Sequence, residues 1–263
     1  MPPGSLLVVA FGLALGSFLN VCIYRIPRGL SVILPRSHCP QCDHKIRPWE
    51  NIPLLSYLFL GGRCGSCGRP IGWVYPAVEA LTALLMYLLF LKYGFSFSLM
   101  VNAIAFSLLV VLIFIDLFER LLPNPLTLGG MVLGFLLAPL QSSEFFIAST
   151  PSLWEPYWQS FLGALIGGGV LWAVAKAYFK VRKVEGMGFG DIKMMAMVGA
   201  FLGWRFAWLT IFLGSLMGAV VGAFFIYSSG KDRRYELPFG SFLGVGAVIA
   251  TLWGRDLLSW YFG

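Results

Sequence analysis

Residues 101–120 read Val-Asn-Ala-Ile-Ala-Phe-Ser-Leu-Leu-Val-Val-Leu-Ile-Phe-Ile-Asp-Leu-Phe-Glu-Arg. The apolar run that contains them, 96–116, is long enough to cross a hydrocarbon core of about 30 Å, which takes about 20 such residues. It ends on a carboxylate, Asp116. An ionisable group at membrane depth is costly, so it marks a candidate functional site by default. A second one occurs in Gly186-Met187-Gly188-Phe189-Gly190-Asp191-Ile192-Lys193, where Asp191 stands at the mouth of another apolar segment.

The rest of the chain agrees with a membrane setting. Of its 263 residues, 58% are hydrophobic and 12% charged, against roughly 25% charged in soluble domains. Apolar runs near 5–24, 74–92, 96–116, 121–140, 159–179, 191–204, 206–228 and 240–261 predict an all-α polytopic protein of about eight transmembrane helices. The sixth run is short and its boundary with the seventh, at Trp204-Arg205, is open; one bent segment over 191–228 would give seven. The 31 glycines suit a bundle whose helices approach closely, and the pairs Gly12/Gly16, Gly163/Gly167, Gly199/Gly203, Gly214/Gly218 and Gly240/Gly244 each offer a small-residue face.

The net charge of +7 reads as topology rather than as nucleic-acid binding. With the N-terminus outside the cytoplasm, loops 25–73, 117–120, 180–190 and 229–239 carry most of the Lys and Arg, while the outer segments carry Lys92, Arg205 and Arg255. This is the positive-inside asymmetry. It sets Asp116 and Asp191 at the same, cytoplasmic, face. No basic n-region precedes the first apolar run and no small-residue cleavage site closes it, so the first helix is expected to be retained.

Three parts follow: a first helix at 1–24, a polar cytoplasmic segment at 25–73, and a helical core at 74–263. About 50 polar, proline-rich residues need a staple. Cys39-Pro40-Gln41-Cys42 and Cys64-Gly65-Ser66-Cys67 supply one, since two knuckles presenting four thiolates suit tetrahedral zinc. Four thiolates leave no open position, which makes such an ion structural. Two disulfides or a redox motif is the competing reading, and a cytoplasmic location opposes it. Pro40, Gly65 and Gly68 permit the sharp turns. His38 and His44 flank the first knuckle as solvated loop residues or substitute ligands, and Cys22 reads as a small buried hydrophobe.

Among the five aspartates, Asp43, Asp232 and Asp256 read as solvated or ion-paired. Asp116 and Asp191 could cap helices. The glycines before Asp191 favour chemistry instead: Gly186, Gly188 and Gly190 allow a substrate strand to approach and let Asp191 face a partner carboxylate. Two carboxylates about 3 Å apart share one proton, so one can activate water while the other protonates a carbonyl. Both histidines lie in the knuckle segment, which excludes Ser-His and Cys-His nucleophile pairs from the membrane region. Lys193, Glu119 and Glu185 lie near the aspartates as anchors or substrate-orienting groups. Glu79 lies inside the second run and needs a partner, and Glu50 belongs to the polar segment.

Several stretches resemble the prepilin peptidases, the type IV leader peptidases among the Gly-x-Gly-Asp membrane aspartyl proteases. They are Gly16-Ser17-Phe18-Leu19-Asn20-Val21, the Cys39–Cys67 segment with Trp49-Glu50-Asn51-Ile52-Pro53-Leu54-Leu55-Ser56, Asp116 with Leu122-Pro123-Asn124, Gly188-Phe189-Gly190-Asp191-Ile192-Lys193, and Leu237-Pro238-Phe239-Gly240. The resemblance implies a bacterial inner-membrane enzyme that removes basic leaders from prepilins or type II secretion pseudopilins. It implies Asp116 and Asp191 as the catalytic pair, and Cys39, Cys42, Cys64 and Cys67 as metal ligands. Substrate contact is expected at Gly188, Gly190 and Lys193. It also implies N-methylation of the new N-terminus with S-adenosylmethionine, for which the four cysteines are the only support; Gly167-Gly168-Gly169 lies inside a span and reads as helix packing. A non-enzymatic reading, an ion-coupled transport or assembly protein with a structural zinc, stays open on the residues alone.

Overall fold

The computed structural model describes residues 2–141, 145, 154–184, 186–229 and 237–262. Glu144, Glu185, Lys231, Asp232, Arg233 and Arg234 lie outside the described residues. The chain divides into two compact units, Met1–Phe95 and Ser96–Gly263. The division falls after the second apolar run, so that run belongs with the first helix and the cysteine segment.

In the first unit, helix α1 (Ser5–Arg25) lies against α3 (Val74–Tyr93), with the short α2 (Leu55–Phe59) between them in sequence. Glycine sets the contact. A Cβ on Gly12 would lie 2.7 Å from Ala83 Cα, and one on Gly16 would lie 2.7 Å from Glu79 Cα. Asn20 then reaches across to donate its Nδ2 to the Tyr75 carbonyl at 3.0 Å.

The cysteine segment folds as two matched turns. Cys39 N–H bonds the His44 carbonyl at 2.9 Å, and Cys64 N–H bonds the Arg69 carbonyl at 2.8 Å. Each turn needs one left-handed residue, which is Asp43 (φ 54) in the first and Gly68 (φ 69) in the second. Aspartate is among the few non-glycine residues that enter this region readily. Gly65 keeps an ordinary φ, and what excludes a side chain there is Glu50, whose Oε1 would lie 2.8 Å from its Cβ.

The second unit holds α4 (Phe97–Glu119), α5 (Asn124–Leu137), α6 (Glu155–Arg182), α7 (Phe189–Ser229) and α8 (Phe239–Phe262). Its core is apolar and drawn from α4, α7 and α8, with Phe106, Leu112, Ile115, Met194, Met197, Leu202 and Leu243 fully buried. Ser96 caps α4 by accepting from Leu99 N–H at 3.2 Å, and Arg120 in the left-handed region (φ 52) ends it. Against α7, Gly163 and Gly199 face one another so closely that a Cβ on either would strike the other's carbonyl oxygen.

The open boundary between the sixth and seventh runs has a structural answer. Residues Phe189–Ser229 form 41 residues of helix interrupted at Gly203 (φ 72, ψ 173). An unbroken helix of that length would span about 60 Å at 1.5 Å per residue, twice the hydrocarbon thickness. The break makes two segments of it, one residue from the expected Trp204-Arg205 boundary. Six helices among the described residues are long and apolar enough to cross a membrane, and Asn124–Leu140 is a shorter apolar helix. With the break at Gly203, these give eight apolar helical segments. No strand occurs among the described residues beyond two isolated bridges in the cysteine turns, His38 with Lys45 and Arg63 with Pro70.

Candidate active site

Asp116 sits one turn from the C-terminus of α4, and Asp191 lies in the first turn of α7. Both are buried, at 5% and 7% exposure. They meet at Gly240 in the first turn of α8. A Cβ built there would lie 2.9 Å from Asp191 Oδ1 and 3.1 Å from Asp116 Oδ2. The two oxygens can therefore be no farther apart than the sum of those distances.

Asp116 is held firmly. Its Oδ2 accepts from the Ser241 backbone N–H at 2.6 Å and from the Ser241 hydroxyl at 2.9 Å. The N–H belongs to the unbonded first turn of α8, where four donors lack intrahelical partners and an anion is favoured. The Ser241 hydroxyl also lies 3.0 Å from the Ile113 carbonyl, which fixes its position between α4 and α8. Ser241 escaped the sequence reading, although it directly follows Leu237-Pro238-Phe239-Gly240 and falls in the first turn after a proline, a usual place for a side chain facing a helix start.

Leu122 explains two of the glycines. Its Cδ1 would lie 3.0 Å from a Cβ on Gly240, and its Cβ 2.9 Å from one on Gly190. Leu122 thus wedges the α4–α5 connection against the starts of α7 and α8. Gly188 differs: a Cβ there would meet nothing nearer than Asp191 Oδ2 at 3.5 Å. Gly186 packs on the Tyr178 ring. Lys193 donates to Asn124 Oδ1 at 2.8 Å and lies over the Phe189 ring at 4.9 Å, so it joins the starts of α5 and α7 beside the carboxylates.

The first unit holds the thiol cluster. The sulfurs of Cys39, Cys42, Cys64 and Cys67 all lie within 4.8 Å of one another. A Zn–S bond of about 2.3 Å in a tetrahedron sets sulfurs about 3.8 Å apart, so the four fit one ion with a small contraction. The backbone N–H groups of Cys67 and Ser66 lower the Cys64 thiol to about 6, while, against the His44 N–H, desolvation and the neighbouring thiols push that of Cys42 up to about 12; without a metal the cluster favours a single thiolate, on Cys64. His38 and His44 stand outside the set. His44 faces Glu50 Oε2 at 3.2 Å, and His38 Nε2 lies 3.9 Å from Asp43. The Arg47 N–H and His44 hold the Glu50 carboxyl below its usual range. Cys22 is buried in α1, and Glu79 has its partner: its Oε2 accepts from Leu54 N–H at 2.9 Å.

Two family models match the chain. The bacterial peptidase A24 N-terminal domain matches residues 10–93, and the type IV leader peptidase family matches residues 103–223, which include both aspartates. The chain belongs to the type IV leader peptidase family. Membership makes it a membrane-embedded leader peptidase. Relatives matched along nearly the whole chain are named prepilin leader peptidase/N-methyltransferase. The protein of that name from Legionella pneumophila is 34% identical over 98% of this chain and 94% of its own length. Those from Pseudomonas aeruginosa and Aeromonas hydrophila are each 37% identical over 97% of this chain and 92% of their own length. No solved structure gives a significant match.

Proposed function

We propose that this leader peptidase is an aspartyl endopeptidase of the bacterial inner membrane. It removes the basic leader from type IV prepilins or type II secretion pseudopilins at the cytoplasmic face, and then N-methylates the new terminus. The observation that carries the peptidase reading is the convergence of Asp116 and Asp191 on Gly240.

The donor pattern divides the labour. Asp116 accepts two hydrogen bonds on one oxygen at a helix N-terminus, an arrangement that favours the ionised form. Asp116 is thus the base and Asp191 carries the shared proton. Asp116 takes a proton from water as the water oxygen bonds to the scissile carbonyl carbon. Asp191 gives its proton to the carbonyl oxygen. When the C–N bond breaks, a proton passes to the departing amine and the pair regains its single proton.

The open side of Gly188 admits the substrate backbone, Gly190 lets the α7 start close on Leu122, and Lys193 borders the entry. The excess of Lys and Arg in loops 25–73, 117–120, 180–190 and 229–239 supports an N-terminus outside and carboxylates at the cytoplasmic face. Cys39, Cys42, Cys64 and Cys67 would hold zinc, whose four thiolate bonds would stabilise the cytoplasmic segment at 25–73. S-adenosylmethionine, where bound, would supply an electrophilic methyl group to the new amino terminus.

The test is cleavage of a type IV prepilin by purified protein in detergent. Asp116→Asn and Asp191→Asn should each lower cleavage by about a thousandfold or more, the scale of losing an acid or base from a coupled pair, with helical content and zinc load unchanged. Wild-type processing by either variant would remove that aspartate from the mechanism. Product mass with and without S-adenosylmethionine reads the methylation.

A further inference from the structure

At Gly203 the α7 chain turns back on itself. Before the break, Asp191 and Met194 lie against Gly240 and Gly244 of α8. Beyond it the order reverses, with Phe206 packed on Gly254 and Gly214 on Leu243. The first half of α7 therefore ends inside the second unit, and its last carbonyls lose their intrahelical partners, as at any helix C-terminus. Side chains meet two of them. Ser160 Oγ of α6 donates to the Ala200 carbonyl at 2.8 Å, and Gln141 Nε2 donates to the Phe201 carbonyl at 3.2 Å.

Gln141 also reaches α4. It forms a reciprocal amide pair with Asn102: Asn102 Nδ2 donates to Gln141 Oε1 at 2.9 Å, and Gln141 Nε2 donates to Asn102 Oδ1 at 3.3 Å. Asn102 is fully buried, and its Nδ2 also donates to the Ser98 carbonyl at 2.8 Å. Each N–H of the two amides thus has an acceptor. A satisfied buried network of this kind is directional and rigid. The apolar contact beside it, where α5 meets α7 at Gly134 and Phe201, sets separation but not register. The amide bonds supply the register.

The helices joined here are the two that carry the carboxylates. Asn102 stands about 20 Å from Asp116 along α4, and Phe201 about 15 Å from Asp191 along α7, at 1.5 Å per residue. We infer that Asn102 and Gln141 are positioning residues for the peptidase: they pin the far end of the first half of α7 to α4 and so set how Asp191 meets Asp116 at the other end. Close-packed interiors transmit strain, so a slip at the pinned end is carried to the carboxylates. The inference rests on the paired-carboxylate reading of the site.

Steady-state cleavage of a prepilin by purified full-length variants tests it, with a melting temperature measured for each. Gln141→Met keeps the length and removes the amide. Its kcat should fall about tenfold with KM unchanged, part of the hundredfold that a 1 Å misplacement costs. It also leaves Asn102 short of a partner and should melt lower. Asn102→Leu/Gln141→Met replaces both amides with apolar groups, which removes that penalty; stability should recover over Gln141→Met while kcat stays low. Ser160→Ala frees the neighbouring Ala200 carbonyl but keeps the amide pair, so it should melt lower and retain kcat. Wild-type kcat in the double variant overturns the inference, as does a rise in KM alone or an equal loss of kcat in Ser160→Ala. If the double variant does not fold, Gln141→Met against Ser160→Ala decides: kcat lost only in the first supports the pin, and kcat lost in both or in neither overturns it. Asp116→Asn is assayed alongside. Wild-type cleavage by that variant removes the paired-carboxylate reading and the pin with it, whereas an inactive Asp116→Asn beside fully active pin variants removes the pin alone.

Discussion

Ser241 places two donors, its backbone N–H and its hydroxyl, on the same oxygen of Asp116, at 2.6 and 2.9 Å. One residue of α8 therefore fixes a carboxylate of α4, and the first turn of one helix serves the last turn of another. Ser241→Ala keeps the N–H and loses the hydroxyl. A hydrogen bond to a charged group contributes about 1.5–3 kcal/mol, so kcat should fall about tenfold to a hundredfold with KM little changed. Ser241→Thr retains the hydroxyl and should restore most of the rate. Steady-state kinetics on a prepilin separates the two, and an Ala variant with wild-type kcat would show that the N–H alone suffices.

Gly240 is the residue on which the pair closes. Its Cα has no room for a methyl, since Asp191 Oδ1, Leu122 Cδ1 and Asp116 Oδ2 would lie 2.9, 3.0 and 3.1 Å from it. Gly240→Ala must push the carboxylates or Leu122 aside. A displacement near 1 Å in an active site costs on the order of a hundredfold in rate, so cleavage should fall by about that factor while helical content persists. Full activity in this variant would mean that the two carboxylates need no close approach.

The α6–α7 contact depends on Gly163 and Gly199, each of which would drive a Cβ into the other's carbonyl oxygen. Backbone cannot yield as a side chain tip can. Gly199→Ala should therefore destabilise the second unit by about 1–3 kcal/mol or more, the range for overpacking. Thermal unfolding in detergent should show a lowered midpoint with zinc still bound, because the thiol cluster belongs to the other unit.

The sequence made some of this legible and hid the rest. Asp116, Asp191 and the four cysteines stand out because charge in an apolar run and paired Cys-x-x-Cys turns are rare by chance. Glycine pairs at a spacing of four also predicted close helix faces, and Gly12, Gly16, Gly163 and Gly199 provide them. Ser241 was hidden because a serine at a helix start is common and nothing local says which carboxylate it meets. The partner of Glu79 was hidden for the same reason: it is a backbone N–H, at Leu54, 25 residues away. The left-handed turn at Asp43 matches Gly68 only once the two knuckles are superposed in register. The unit boundary after Phe95 follows from the α1–α3 contact, which is tertiary and leaves no periodic trace.

The thiol cluster predicts one metal per chain. Metal analysis of purified protein should find about one zinc per chain, and Cys42→Ser should lose it. Because structural zinc binding is folding free energy, removal with a strong chelator should unfold the cysteine turns and expose the 25–73 segment to protease. The first unit's helices, α1 and α3, should keep their helical signal through the Gly12 and Gly16 contact. Unaltered protease resistance without metal would show that disulfides or packing hold the segment instead.

Gly188 separates a folding role from a substrate role. A methyl there would meet only Asp191 Oδ2 at 3.5 Å and the Gly190 nitrogen at 4.0 Å, both ordinary contacts, and its φ is not in the left-handed region. The fold has no steric need for glycine at this position. The remaining cost is that alanine is a poorer residue than glycine just before a helix, a fraction of a kcal/mol. Gly188→Ala should therefore melt within about 3 °C of wild type. Gly190→Ala is the contrast, since its Cβ would lie 2.9 Å from Leu122 Cβ and should lower both stability and activity. If the space over Gly188 is where the scissile strand lies, the alanine variant will lose about tenfold or more in kcat/KM on prepilin despite its intact fold. A stable Gly188→Ala protein that processes prepilin at the wild-type rate would place the substrate backbone elsewhere.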